Sequence, residues 1–479
     1  MKLFIVAISV ICLISCAPKD EEAGTSSTTT ERKTAFLELN LDAKILRFLE
    51  SPNSTFAANI AAEMGQTGNR LWAPWLMDVL QLGFSSETIL TSTRALQDIT
   101  GIESSGNVAD DAVLYGSWIR SEALEPRSDY KQWKLAFLGA LDPSYPKYLQ
   151  NINDLGVLAG IRWGGVRRGG IPELNYPEHV KAREAKFLTP DELVIGVIVN
   201  ETPIAYPLRF INHHELVNDV VDDTPLTLGY CSLCRSGVVY LTELTEEILT
   251  FQTSGLLIDS NKIMVDNNTD SLWQHLRGES ISGPMTGTKL DSLSSVSTTW
   301  SSWTRKHPDS LTIATPETTW FANQPERKPI AYDYTPNAAY KRYYAQKDLW
   351  FPTLTTPTTL LDLKEEVVGV SLPNSQLAIP INKLDDLPIV EHFGAHTLLV
   401  VPSQGGARVY KADRTRPLDQ IAVEQTQEKW NEASVSIALR NTSGQKITFK
   451  RLNTRQMFWF AWYALHPETV IWDPTPESN

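Results

Sequence analysis

ELVIGVIVNETPIAYPL at residues 192–208 returns as EEVVGVSLPNSQLAIPI at residues 365–381, in constant register, with Gly196 opposite Gly369 and Pro207 opposite Pro380. Each copy is a pair of β-branched and apolar runs divided by turn-forming residues, a strand-and-turn pattern. A second pair of matching segments follows in the same order. Trp300-x-x-Trp303-x-x-x-His307-Pro308-Asp309 corresponds to Trp459-x-x-Trp462-x-x-x-His466-Pro467-Glu468. Two ordered matches indicate an internal duplication. The expected fold is therefore α+β, with two related β-rich modules at residues 126–335 and 336–479. Features that both copies share serve the fold. Tryptophans three apart, with a histidine four beyond, suit a short helix that packs its aromatic face on a sheet and ends at His–Pro. His307 and His466 are expected to be structural on that ground.

Residues 35–125 read as helical. Pro74 opens a segment with Trp75, Leu76, Val79 and Leu80 on one face, and Gly83 suits its C-cap. Ser85 suits the N-cap of the next helix, with Glu87 in its first turn, and Gly101 closes it. Two antiparallel helices of this size resemble a HEAT-type unit; a small helical bundle is the alternative.

The chain begins MKLFIVAISVICLISC. Lys2 and the apolar stretch after it read as a bacterial export signal, too short to span a bilayer as a finished helix. Leu13-Ile14-Ser15-Cys16 resembles a lipoprotein box, so residues 1–16 are expected to be the signal and lipobox, with Cys16 acylated by palmitate-type chains. Several acyl chains on one residue hold a protein stably. Ala17 after the cysteine favours the outer membrane in a cell that has two. Residues 17–34, rich in Glu, Lys, Thr and Ser, read as a flexible tether. The net charge is −13, and no Lys/Arg cluster interleaves with aromatics as a nucleic-acid groove requires, so nucleic acid is not an expected partner. Arg162, Arg167 and Arg168 sit in a glycine-rich stretch that suits either an anion site or a solvated loop.

The two modules differ where chemistry is concentrated. The first carries Asn212-His213-His214-Glu215-Leu216-Val217-Asn218-Asp219 and GYCSLCRSGVVY (229–240), with Cys231 and Cys234. The second has Val401 and Gln404 at the cysteine positions. With Cys12 and Cys16 consumed by processing, Cys231 and Cys234 are the only free thiols expected in the mature chain. A pair two residues apart can cycle between dithiol and disulfide. It can supply two ligands to one copper or zinc ion, or form a fixed disulfide in an oxidising compartment. A loop this short gains only about 2 kcal/mol from closure in the chain-entropy model, which weakens the last reading.

His214-Glu215-Leu216-Val217-Asn218 looks like the start of a zinc-protease helix, but Asn218 stands where the second histidine is required, and that reading fails. His214 can still be a metal ligand with the cysteines, a base for a thiol, or a buried structural histidine. Asn218, Asp219, Ser254, Asp259 and Trp273 are further candidate neighbours of the site. No G-x-S-x-G elbow, P-loop or dinucleotide fingerprint is present.

Taken in order, these clusters resemble the family known as domain of unknown function 3179. The residues that carry the resemblance are Gly170-Ile171-Pro172, Ala205-Tyr206-Pro207-Leu208 and Asn212 to Asp219. They continue with Tyr230-Cys231-Ser232-Leu233-Cys234, Ser254 to Ser260, and Ser271-Leu272-Trp273-Gln274. His213, Ser232, Ile258 and Asp259 depart from the family pattern, whereas His214 keeps its position. The family has no settled activity; members resembling it that carry selenocysteine in the cysteine motif imply chalcogen chemistry there. The expectation is a lipid-anchored thiol/disulfide redox protein with Cys231 and Cys234 as the couple and His214 and Glu215 tuning it, acting on a protein thiol or disulfide partner. A copper- or zinc-binding module using Cys231, Cys234 and His214, and a non-catalytic surface scaffold, are the alternatives.

Overall fold

The computed structural model describes residues 40–473, apart from 51–53, 83–84, 123, 125, 245–246, 317–330, 352, 354–358, 386, 413–435 and 441–445. Cys12, Cys16, the tether and Gly83 lie outside the described residues.

Among the described residues six longer helices come first: Leu41–Glu50, Ser54–Gln66, Ala73–Leu82, Ser86–Thr100, Val108–Ser121 and Tyr130–Gly139. The short helices Tyr145–Leu149 and Leu155–Gly160 follow. Ser85 caps Ser86–Thr100 by accepting the Thr88 N–H, and Gly101 ends it in the left-handed region at φ 71°. The helices bury an aromatic stack in which Trp133 lies 4.7 Å from both Phe48 and Trp75, centroid to centroid. Inside it, Asp78 is fully buried, accepts the Tyr130 hydroxyl at 2.7 Å and pairs with Lys134 and Arg162. Arg162 belongs to a β-strand, so this buried network already joins helices to sheet.

Among the described residues the β region is five small sheets of four or five strands, set out like the blades of a propeller, with a two-stranded ribbon of Glu243–Leu244 and Glu247–Ile248 beside them. The first runs Ile161–Trp163, Phe251–Ile258, Asn261–Asp266, Leu272–Gln274, Glu279–Ser282. The second runs Ser292–Leu293, Ser236–Leu241, Thr224–Cys231, Leu216–Val221, Leu174–Asn175. The third is Ser295–Thr299, Leu193–Val199, Thr202–Pro207, Leu311–Ile313, His179–Lys181. The fourth is Arg455–Phe458, Glu366–Leu372, Ser375–Pro380, Val470–Ile471, and the fifth extends from Ile389–Phe393 to Ser436–Arg440.

This architecture corrects the expected one of a HEAT-like helical region followed by two α+β modules. The helices do not form a separate stack of repeats. Their core is continuous with Ile161, Leu256, Ile263, Val265 and Leu272 of the first sheet. Nor do the strands gather into two modules; the described strands divide among five larger sheets and one two-stranded ribbon. Sequence periodicity identifies strands and turns but says nothing about which strand pairs with which, and that pairing decides the architecture.

The repeated segments nevertheless fold alike. They form the third and fourth sheets, in which the same strand order recurs: one antiparallel hairpin, an antiparallel strand on one side and a short parallel strand on the other. In each, a seven-residue helix follows the flanking strand, Trp300–Lys306 in one and Trp459–Leu465 in the other. The Trp300 N–H donates to Glu192 O and the Trp459 N–H to Glu365 O, both at 2.7 Å. His307 and His466 end those helices and lie 4.3 Å from the rings of Trp303 and Trp462.

The glycine shared by both copies has a steric cause. A Cβ on Gly196 would sit 2.3 Å from the Trp303 ring, and one on Gly369 would sit 2.2 Å from Trp462. Each indole lies flat on glycine backbone, and neither can retreat because each is buried. Gly196→Ala and Gly369→Ala are therefore each expected to destabilise by about 2 kcal/mol through overpacking, read as a lower denaturant midpoint in chemical unfolding.

Candidate functional site

Cys231 is the last residue of the strand Thr224–Cys231, and the returning strand begins at Ser236, with Cys231 and Ser236 paired across the ladder. The four residues between them turn the chain sharply. The Cys234 N–H donates to Cys231 O at 3.1 Å, and Arg235 closes the turn at φ 53°. This geometry aims both side chains inward. The sulfurs lie 2.9 Å apart as free thiols, with residue exposures of 2% for Cys231 and 0% for Cys234.

The neighbouring first sheet completes the setting. Its turn at Asp259 and Ser260 has consecutive positive φ values of 50° and 59°, the pattern of a tight mirror-image hairpin turn. That turn presents Ser260 O to the sulfurs, 3.4 Å from Cys234 Sγ and 3.8 Å from Cys231 Sγ. Asn261 Nδ2 donates to Cys234 Sγ at 3.3 Å and also lies 3.3 Å from His275 Nδ1. Burial holds His275 down to about 3, so its ring is neutral and accepts from Asn261.

The two thiols are not equivalent. Burial opposes ionisation of Cys231, but hydrogen bonding from Cys234 and from the backbone N–H groups of Lys262 and Cys234 outweighs it, leaving this thiol below its ordinary value. Burial and the adjacent Cys231 sulfur push Cys234 well above its ordinary value. Cys231 is therefore the thiol that ionises first, with Cys234 remaining S–H and donating to it.

A buried ion pair flanks the dithiol. Glu215 follows the helix Leu208–His214 in the left-handed region at φ 58°, φ being positive where its N–H must reach Ile211 O. Its Oε2 lies 3.0 Å from Lys262 Nζ, and its Oε1 accepts the Tyr340 hydroxyl at 3.1 Å. Glu215 and Lys262 are both nearly inaccessible, so each charge depends on the other. The Glu215 charge raises both thiols.

His214 faces elsewhere. Its Nδ1–H donates to Pro172 O at 2.8 Å, and Nε2 accepts the Tyr334 hydroxyl at 2.6 Å. Burial lowers it to about 4, so the ring is neutral and both nitrogens are committed. The structure thus joins Glu215 to the cysteines and gives His214 a different set of partners. Among the described residues, no group of three or more His, Cys, Asp or Glu comes together in a way that could hold a metal ion. The groups around the sulfurs are mostly N–H donors, which stabilise a thiolate rather than complete a coordination shell.

The remaining candidates brace the fold. Asn218 accepts the Phe251 N–H and the Thr227 hydroxyl and donates to Phe251 O, stitching the second sheet to the first. Asp219 accepts from Tyr206 at 2.8 Å and pairs with His179. The Ser254 hydroxyl bonds to Ile263 O across a bulge, and Trp273 donates to Asp266 at 2.8 Å. Asp259 supplies turn geometry next to Ser260. Two arginines of the glycine-rich stretch are likewise engaged: Arg162 pairs with Asp78, and Arg168 pairs with Asp270 at 2.6 Å.

Sequence reasoning missed Lys262 and the tyrosines of residues 332–344. The Tyr343 hydroxyl donates to Leu233 O, and the Tyr344 hydroxyl contacts Ser232 O and Asn212 Oδ1, so this segment lies over the cysteine turn. The available signal was Tyr340-x-x-Tyr343-Tyr344, an aromatic run in a stretch with no strand or helix periodicity. A lone lysine within a strand gives no such warning.

Comparison with protein families matches residues 168–469, well over half of the chain, to the model described as "Protein of unknown function (DUF3179)". The chain belongs to that family. The matched span includes the cysteine turn, Glu215, Lys262 and the tyrosines at 332–344, and begins after the helices of residues 41–160. No curated protein and no solved structure matches the chain.

Two substitutions test the electrostatics of this DUF3179 site. Glu215→Gln removes the charge that raises both thiols, so the Cys231 thiolate is expected to appear at lower pH, followed by its ultraviolet absorbance. Lys262→Met strands Glu215 in the interior and is expected to cost about 3 to 5 kcal/mol of stability in denaturant unfolding.

Proposed function

We propose that this chain is a thiol–disulfide redox protein whose working couple is Cys231 and Cys234. The observation that carries the reading is the contact of two free thiols, 2.9 Å apart, with opposite shifts in acidity. An attacking thiolate and a neutral resolving thiol are what a two-electron dithiol couple needs. In the forward direction the Cys231 thiolate attacks an oxidant that carries two electrons' worth of oxidising capacity. Cys234 then attacks Cys231 Sγ, its proton leaves with the departing group, and the Cys231–Cys234 disulfide remains. An external thiol reductant reverses the change, each sulfur regaining one proton. Glu215 and Lys262 set the charge beside the couple. His214 belongs to the supporting structure that holds residues 172 and 334 in place.

We also propose that the chain is exported and held to a membrane by lipid on Cys16, from the MKLFIVAISVICLISC start and the polar residues after it. Among the described residues no helix is long and apolar enough to cross a membrane. Labelled palmitate is expected to enter the full-length chain in a bacterial host and to be absent from Cys16→Ser; equal labelling of both would remove the anchor from the account.

The redox reading is tested by equilibrating the protein in thiol/disulfide buffers, quenching with acid, unfolding, alkylating and weighing it. Cys231 and Cys234 are expected to lose alkylation together, in one two-electron step and with loss of two hydrogens. Full alkylation of both at every poise, and after direct oxidant, would overturn it.

A further inference from the structure

The dithiol is enclosed, and the enclosure restricts what can oxidise it. Cys231 and Cys234 lie in one apolar cluster with Leu233, Val238, Tyr343, Trp459 and Trp462, and Tyr340 and Tyr344 pack against that cluster. Four tyrosines fasten the covering segment by their hydroxyls. Tyr334 reaches His214, Tyr340 reaches Glu215, Tyr343 reaches Leu233 O, and Tyr344 reaches Ser232 O. Tyr340 takes φ 56°, a conformation that bulky residues adopt only when their surroundings impose it. Tyr343 is fully buried, whereas Tyr340 and Tyr344 each keep part of their surface open to solvent. Of these two, Tyr340 is the one bonded to Glu215, so it lies between solvent and the carboxylate beside the dithiol.

Thiol–disulfide exchange needs the attacking sulfur in line with both sulfurs of the disulfide, with space beyond for the leaving thiolate. A pair exposed by only 2% and 0% does not offer that line to a protein disulfide. A hydroperoxide needs access for two small oxygen atoms only.

Resting on the redox reading above, we propose that the oxidant of this couple is a small hydroperoxide and that Tyr340 is the residue that excludes bulkier disulfides. The Cys231 thiolate attacks the distal oxygen of ROOH. The O–O bond breaks, RO⁻ leaves and takes a proton to become ROH, and Cys231 becomes a sulfenic acid. The Cys234 sulfur then attacks Cys231 Sγ. The S–O bond breaks, the hydroxyl leaves with the Cys234 proton as water, and the disulfide closes. Two thiols lose two electrons in all, and one hydroperoxide is reduced to ROH and water.

The test compares oxidation of the reduced full-length protein by hydrogen peroxide, by oxidised glutathione and by the disulfide of a small folded protein, with disulfide formation followed by quenched alkylation and mass. Hydrogen peroxide is expected to react at least about 100-fold faster per mole than either disulfide, as access limits exchange. Tyr340→Ala is expected to narrow that ratio at least tenfold by admitting glutathione disulfide; Tyr340→Phe, which keeps the ring and loses only the hydroxyl, keeps most of it. In Cys234→Ser, a sulfenic-acid trap is expected to label Cys231. Equal rates for all three oxidants, or a ratio unchanged in Tyr340→Ala, would overturn the proposal while leaving the redox couple intact. Failure of every oxidant to close the disulfide, in wild type and Tyr340→Ala alike, would instead overturn the redox reading on which it rests.

Discussion

The ion pair of Glu215 and Lys262 is where three parts of the molecule meet. Glu215 ends a short helix and leads into the second sheet, Lys262 lies in the first sheet, and Tyr340 arrives from the covering segment. Neither charge has water to fall back on, so neither can be lost without exposing the other. The Lys262 backbone N–H serves Cys231 while its side chain serves Glu215. One residue thus supplies a local dipole that favours the thiolate and also balances the carboxylate that opposes it. Holding that balance requires both sheets in register, which the Asn218 bridge to Phe251 provides from the far side.

Around this point the two sheets play different parts. The second sheet supplies the turn that brings the sulfurs into contact. The first supplies Ser260, Asn261 and Lys262 from one tight turn and the strand after it. Left-handed backbone occurs at Glu215, Arg235, Asp259, Ser260 and Tyr340 around the dithiol, as it does in turns elsewhere such as Asp222, Asp223 and Asp270. Such conformations persist where the surroundings over-determine them, as the packing around the two sulfurs does here.

Much of the local structure was legible because it obeys short-range rules. Gly196 and Gly369 recur because an indole needs bare backbone to lie on, and the histidines four beyond the second tryptophans recur because they end the same helix. The duplication was over-read, however. It marks two similar sheets, whereas the Cys231 turn and the strand carrying Lys262 belong to two others. The cysteine pair was visible from its spacing, and Glu215 from its place in a polar cluster. His214 looked equally promising, since sequence neighbours share a motif whichever way they face. The αL residue at 215 turns the chain between them, so Glu215 meets Lys262 while His214 meets Pro172 and Tyr334. Lys262 and Tyr340 were invisible for the converse reason: they are 47 and 125 positions from Glu215, and only the tertiary fold brings them to it.

The central claim is an asymmetric pair of thiols able to close on each other. Carbon-13 labelling of the cysteine Cβ atoms reads it directly, because the Cβ resonance reports both ionisation and disulfide formation at each residue. The account predicts that Cys231 titrates at lower pH than Cys234, and that both resonances move together to the disulfide position on mild oxidation. Resonances that titrate in the opposite order, or that stay at the thiol position under oxidant, would contradict it.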